Sequence, residues 1–203
     1  LLSRNLDGTG TVHREVPPGT RALRTRVENR EISRYGGMII ESFSVTCTAV
    51  GGPADGEAVL DLETVFGFFP PAAFVDQPGL PPTAADRARL TRPGVGVDLS
   101  GRPARYFGGT ARLPGPGLVM LDRVTGYVAD GGTHGLGWLR ADKDVDAGDW
   151  YFKAHFFQDP VQPGSLGVQA MADLLRWHLG GGVIESTGGA VIWKYRGQVV
   201  PTD

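Results

Sequence analysis

Hydrophobic and polar positions alternate with a period near two through much of the first seventy residues, and no helical period interrupts them. Residues 20–31 and 38–49 are rich in β-branched and aromatic side chains, among them Ile39, Ile40, Phe43, Val45, Thr46 and Thr48. The turn signal Tyr35-Gly36-Gly37 separates them. A second turn, AVGGPADG at 49–56, leads into a third strand over 57–69, so this part reads as an antiparallel meander. From 70 to 117 the pattern is lost among closely spaced prolines, which predicts a linker lying across a surface with one short helical turn at 84–90. Periodicity returns at Leu118. Residues 118–128 and 134–145 predict a strand pair turning at Asp130-Gly131-Gly132, followed by a segment over 150–161 to which the pattern assigns no element. A helix is predicted over 165–179, with Ser165 as its cap, Leu166, Met171, Leu174 and Leu175 as its apolar stripe, and Gly180-Gly181-Gly182 as its stop. A last strand is expected over 190–200.

The two ends echo one another: V-H-R-E-V-P near the start and Y-R-G-Q-V-V-P near the finish. Together with sheet lacking a helix in the first block and a helix lacking its later strands in the second, this predicts a chain running from the middle of one repeat to the middle of the next.

Composition narrows the classes. With 203 residues, 41% hydrophobic and 21% charged, the chain is an ordinary globular one. A net charge of −2 gives no electrostatic footprint for nucleic acid or an anionic membrane, and no apolar run approaches the roughly 20 residues of a membrane helix. Cys47 alone excludes an internal disulfide and a cysteine-based zinc site, and suits a cytoplasmic location.

Chemistry concentrates in WYFKAHFFQDPVQPGSLGVQAM (150–171). His155 stands among Phe152, Phe156 and Phe157, where a dry surrounding favours the neutral imidazole that a general base requires. Gly164, at the expected helix start, offers a backbone N–H where the helix dipole can polarise a carbonyl. By spacing alone His155 is either a base or a packed structural histidine.

The same stretch resembles the active-site strand, loop and central-helix start of the bacterial 3-hydroxyacyl-ACP dehydratases of the FabA type. In particular it is similar to their tandem form within polyunsaturated-fatty-acid synthases and polyketide-like megasynthases. LVMLDRV (118–124) resembles the family's opening strand and VIWKYRGQVVPTD its strand after the helix; TVHREVPPGT and TVFGFFPPAAFVDQPGL (64–80) are similar to parts of a preceding unit. The resemblance implies an α+β tandem hotdog fold, an antiparallel sheet around a central helix. Residues 1–75 would be the C-terminal half of a first unit, 76–116 a linker, and 117–203 the N-terminal half of a second. It implies His155 as catalytic base, and Gly164, Ser165, Phe156 and Phe157 as substrate-binding residues. The substrate is a 3-hydroxyacyl thioester on an acyl carrier protein, with no metal or other cofactor. Other synthase domains and a second hotdog unit or a homodimer would be the partners.

One position departs from the family pattern. The catalytic acid falls on Gln169, which cannot deliver a proton, and the family's glutamine one turn later falls on Asp173. Asp173 is therefore either a substitute acid or a solvated helix charge, and the resemblance implies a third course in which the partner unit supplies the acid. A non-catalytic pseudo-dehydratase and a hotdog thioesterase are the alternatives; the Asp-Pro-x-x-Pro-Gly run after His155 argues against the second. The remaining candidates are bland. Asp159 is expected to cap a turn, His13, His134 and His178 lack ligand spacing, Asp142, Asp144, Asp146 and Asp149 form a solvated loop, and Arg21, Arg24, Arg26 and Arg30 make a basic run on a strand.

Overall fold

The computed structural model describes residues 1–75, 80–92, 94, 96–109, 112–156, 158–180 and 197–203. The chain divides into two compact units, Leu1–Gln77 and Pro78–Asp203. It is α+β in composition, with antiparallel sheets and few helices.

The first unit is one four-stranded antiparallel sheet in the order β1-β4-β3-β2. Its strands are β1 (Leu2–Val12), β2 (Ala22–Tyr35), β3 (Met38–Val50) and β4 (Ala58–Phe69). The expected meander is β2 to β4; β1, which the pattern did not announce, pairs along β4 from Leu2 opposite Phe69 to Val12 opposite Leu60. Polar and glycine positions in LSRNLDGTGTV obscure the period. Gly36 and Gly37, at φ 57° and 78°, make the β2–β3 turn, a pair of left-handed residues that matches strand twist. Where β1 bulges between Asn5 and Asp7, the buried hydroxyl of Thr64 accepts from Asn5 Nδ2 at 2.7 Å and donates to the Asp7 carbonyl at 2.9 Å. Cys47, Ala49, Ala54 and Val59 form the small core at one end of this sheet.

The second unit sets a three-stranded sheet, β5 (Val97–Asp98), β6 (Arg123–Val128) and β7 (Trp138–Asp142), beside four helices. These are α1 (Ala84–Thr91), α2 (Ala104–Phe107), α3 (Trp150–Ala154) and α4 (Gly164–Leu179). The proline-rich stretch is folded into this unit. Thr83 and Asp86 make a capping box for α1, and Arg140 on β7 donates to carbonyls at its end. Leu99 and Leu113 are buried with Leu121 and Val124, against Ala170, Leu174 and Trp177 of α4.

Four local expectations are corrected. Residues 150–154 are helix, because Tyr151 and Phe152 enter one buried cluster with Met120 and Leu166, which successive strand residues on opposite faces cannot do. The strand expected from Leu118 begins only at Arg123, since Met120 and Leu121 turn into separate clusters. Ser165 is exposed in the first turn of α4, whose N-cap is Pro163 without a side-chain cap. The inward stripe of α4 is the buried Leu166 and Asp173 with the half-buried Ala170, Leu174 and Trp177, whereas Met171 and Leu175 face outward at 62% and 42% exposure. Gly180 closes α4 at φ 66°, in the left-handed C-terminal role expected of it. The strand expected over 190–200 lies outside the described residues up to 196, and Gly197–Val200 is not strand. Among the described residues no helix is long and apolar enough to cross a membrane.

Candidate active site

α3 and α4 pack on each other through Tyr151, Phe152, Leu166 and Ala170, and the loop between them carries His155. This half-buried histidine ends α3: its backbone N–H donates to the Tyr151 carbonyl at 2.8 Å. Its ring Nδ1 lies 2.8 Å from the Val161 carbonyl. A carbonyl only accepts, so Nδ1 carries a hydrogen, and in the neutral ring the lone pair then sits on Nε2. The His155 ring also lies on that of Phe156, centroids 3.9 Å apart. Phe156 and Gln158 adopt φ of 58° and 57°, a left-handed conformation costly for side chains of this size, so the loop holds its shape against local preference. Phe152 belongs to the buried cluster rather than to the histidine, and Phe157 lies outside the described residues. Val161 is buried, and the next residue, Gln162, donates its N–H to the Val199 carbonyl at 2.9 Å. The carbonyl that orients His155 is thus fixed on both sides.

Gly164 opens α4, where N–H groups have no partner within the helix and the dipole is positive. Across the Pro163 cap, the imidazole and a carbonyl-polarising backbone end share one short loop.

One turn further, Gln169 and Asp173 form a closed pair. Gln169 Nε2 donates to Asp173 Oδ1 at 2.7 Å, and the Met120 N–H donates to Oδ2 at 3.2 Å. Arg176 Nη1 is 3.6 Å away on the following turn. Asp173 is 0% exposed, which overturns the solvated-charge expectation. Burial pushes its carboxyl above the ordinary carboxylate range, opposed by the Met120, Gln169 and Arg176 contacts. No hydrogen bond joins His155 to Gln169 or Asp173 among the described residues. The candidate site therefore places an imidazole and a helix N-terminus in one loop, while Asp173 on α4 is turned inward.

The other candidates have structural partners. Arg123 grips Asp144 through two 2.6 Å bonds and holds its carboxyl below the usual range, and Asp142 lies 3.4 Å from the same guanidinium. Tyr151 donates to Asp149 at 2.7 Å; burial first, and then this bond, push the phenol far above its ordinary range. His13 pairs with Asp61 at 2.7 Å on the first unit's exposed surface. Asp159 closes a turn through its N–H to the Phe156 carbonyl. Among the described residues no group of three His, Cys, Asp or Glu side chains is arranged to hold a metal ion. The sequence reading missed the Met120 N–H clamp and the aromatic wall around Trp177. A lone Asp among the apolar positions 166, 170, 174 and 177 signals a buried polar group on a packed helix face, but not which residues meet it.

Residues 113–203 match the family model of the FabA-like domain. The match covers β6, β7, α3, the His155 loop and α4, and supports a hotdog dehydratase-type family for this part of the chain.

Proposed function

We propose that the second unit contributes the base of a 3-hydroxyacyl thioester dehydratase acting within fatty-acid or polyketide-type synthesis. The observation that carries this is the 2.8 Å contact of His155 Nδ1 with the Val161 carbonyl, which in the neutral ring leaves Nε2 as the accepting nitrogen one loop before the start of α4. In the reaction Nε2 takes the proton from the carbon next to the thioester carbonyl. That carbonyl oxygen gains charge and is stabilised by the Gly164 N–H and the helix dipole. The electron pair left behind forms the C2–C3 double bond as the 3-hydroxyl departs, and the hydroxyl leaves as water only if an acid protonates it.

That acid is not Gln169, and Asp173 is spent on Met120 N–H, Gln169 and Arg176 with no exposed surface. The reading therefore assigns the proton donor to a partner hotdog unit. The substrate is carried by an acyl carrier protein, in a synthase of the polyunsaturated-fatty-acid or polyketide type. Gln169 is suited to hold the 3-hydroxyl by hydrogen bonding. A second reading, a pseudo-dehydratase that keeps the hotdog architecture without turnover, is favoured by the closed Gln169–Asp173 pair.

The test is incubation with a 3-hydroxyacyl-N-acetylcysteamine thioester, following enoyl-thioester absorbance and free thiol together. Enoyl formation that is lost in His155→Ala supports the dehydratase. Absence of both signals, with the wild-type chain folded, fits an acid supplied by a partner unit as well as the scaffold, and the scaffold is supported only if Gln169→Asp with Asp173→Gln also forms no enoyl product. Thiol release without enoyl formation makes the site a thioesterase and overturns both.

A further inference from the structure

The C-terminal end of α4 carries a second, chemically different site. A cleft of about 350 Å³ is lined by Arg105, Tyr106, Tyr127, Arg176, Trp177 and His178. Its back wall is aromatic. The Trp177 ring lies 5.9 Å from Tyr106, tilted by 34°, and 6.2 Å edge-to-face from Tyr127, which in turn lies 5.5 Å from His178. Its charge is positive and weakly compensated. Arg105 sits 5.4 Å over Tyr106 and has no carboxylate partner among the described residues. Among the described residues the one ion pair of Arg176 is the long 3.6 Å contact to the buried Asp173. Trp177 Nε1 is shielded from water and has no acceptor among the described residues.

These features select among ligands. An acyl chain would strip water from two guanidinium groups and return no counter-charge. A cation would meet like charge. A bare inorganic anion would engage the arginines, whose forks suit phosphate, and leave the aromatic wall idle. A ring bearing a phosphate uses both halves: stacking and edge contacts on Tyr106, Tyr127 and Trp177, and charge-assisted hydrogen bonds to Arg105 and Arg176. The volume lies at the lower end of the roughly 300–1,000 Å³ typical of small-molecule sites. We propose that this cleft binds a phosphorylated molecule with a planar ring, the chemistry of a nucleoside monophosphate, whether free or as the nucleotide end of a larger carrier molecule.

The full chain is titrated by calorimetry with adenosine monophosphate, adenosine, inorganic phosphate and coenzyme A, with tryptophan fluorescence as a second readout. The monophosphate is expected to bind saturably. Adenosine and inorganic phosphate are each expected at least about tenfold weaker, because each loses contacts of charge-assisted or stacking strength. Arg105 is exposed, so Arg105→Gln leaves the fold intact by circular dichroism while weakening the monophosphate at least about tenfold. Trp177→Phe removes the fluorescence response but retains binding. Coenzyme A binding as tightly as the free nucleotide assigns the larger carrier as a source, and exclusion of coenzyme A assigns the free nucleotide. Absence of saturable binding, equal affinity for inorganic phosphate, or an Arg105→Gln chain that binds unchanged overturns the proposal.

Discussion

Asp173 decides how the candidate site is read. A carboxylate with no exposed surface costs several kcal/mol if it must stay charged, unless its oxygens are well partnered. Here one oxygen takes a backbone N–H and the other an amide N–H; in Asp173→Asn the single oxygen can keep the Met120 N–H, and the Gln169 amide must turn its own oxygen toward the new NH2. The raised proton affinity of Asp173 has a defined consequence for stability. Between the ordinary carboxylate range and the raised value, the folded chain holds a proton that the unfolded chain has lost. Stability due to this group thus falls as pH rises through that window, and is flat below and above it. Asp144, held low by Arg123, acts with the opposite sign, so the difference between wild type and Asp173→Asn is what isolates Asp173. Urea melts across the acidic range should show Asp173→Asn gaining on wild type as pH rises; parallel curves would mean that Asp173 is not desolvated. The paired change Gln169→Asp with Asp173→Gln restores the acid and amide order of the resembled family. If the acid is what the native site lacks, that double variant raises enoyl formation by about tenfold or more, the usual scale of general acid catalysis being about 10²–10⁴. An unchanged rate would place the missing component elsewhere.

At the scale of elements, the sequence disclosed most where one period dominated. β2, β3, β4 and α4 stand within two to four residues of where alternation and the helical stripe put them, and α1 coincides with the short turn expected there. His155 and Gly164 were legible because an imidazole among aromatics and a Pro-Gly before a helix are compositional signals, and the structure sets both in one loop. What was not legible depended on contacts between distant residues. Nothing in the sequence of Asp173 tells that the N–H of Met120 will reach it, and nothing local separates the half-buried Ala170, packed on the core, from the exposed Met171. The proline-rich stretch shows the same limit. Its lack of period hid that Leu99 and Leu113, 2% and 1% exposed, complete the cluster under α4. Truncating either therefore removes core rather than linker: Leu113→Ala should lower unfolding stability by about 2–5 kcal/mol, measured by denaturant titration of the full chain. A cost below about 1 kcal/mol would return the segment to the surface.

On the scale of the whole molecule, the first unit poses a question of coverage. Its register places Leu23, Val27 and Ile32 of β2 on the same face as Phe43, Val45, Leu62 and Phe66, while Arg24, Arg26, Glu28, Ser44, Thr46, Asp61 and Glu63 share the other. A sheet divided in this way is built to bury one side. Yet Val27 is 58% exposed and Ile32 47%, and the buried core at one end consists of only four small or medium side chains. Apolar area of this kind favours association, since each square ångström removed from water contributes about 25 cal/mol. If a second copy covers it with the same face, the assembly is a two-fold dimer. Light scattering over a concentration series should then show a monomer–dimer equilibrium. Val27→Lys placed on that face should shift it toward monomer by at least about tenfold, because a buried lysine ammonium costs more than 1.4 kcal/mol when left unpaired. Arg26→Ala, on the polar face one residue away, serves as the control and should leave the equilibrium where it was. If Val27→Lys and wild type dimerise alike, or both stay monomeric without binding a hydrophobic dye, the apolar face is already satisfied within the chain.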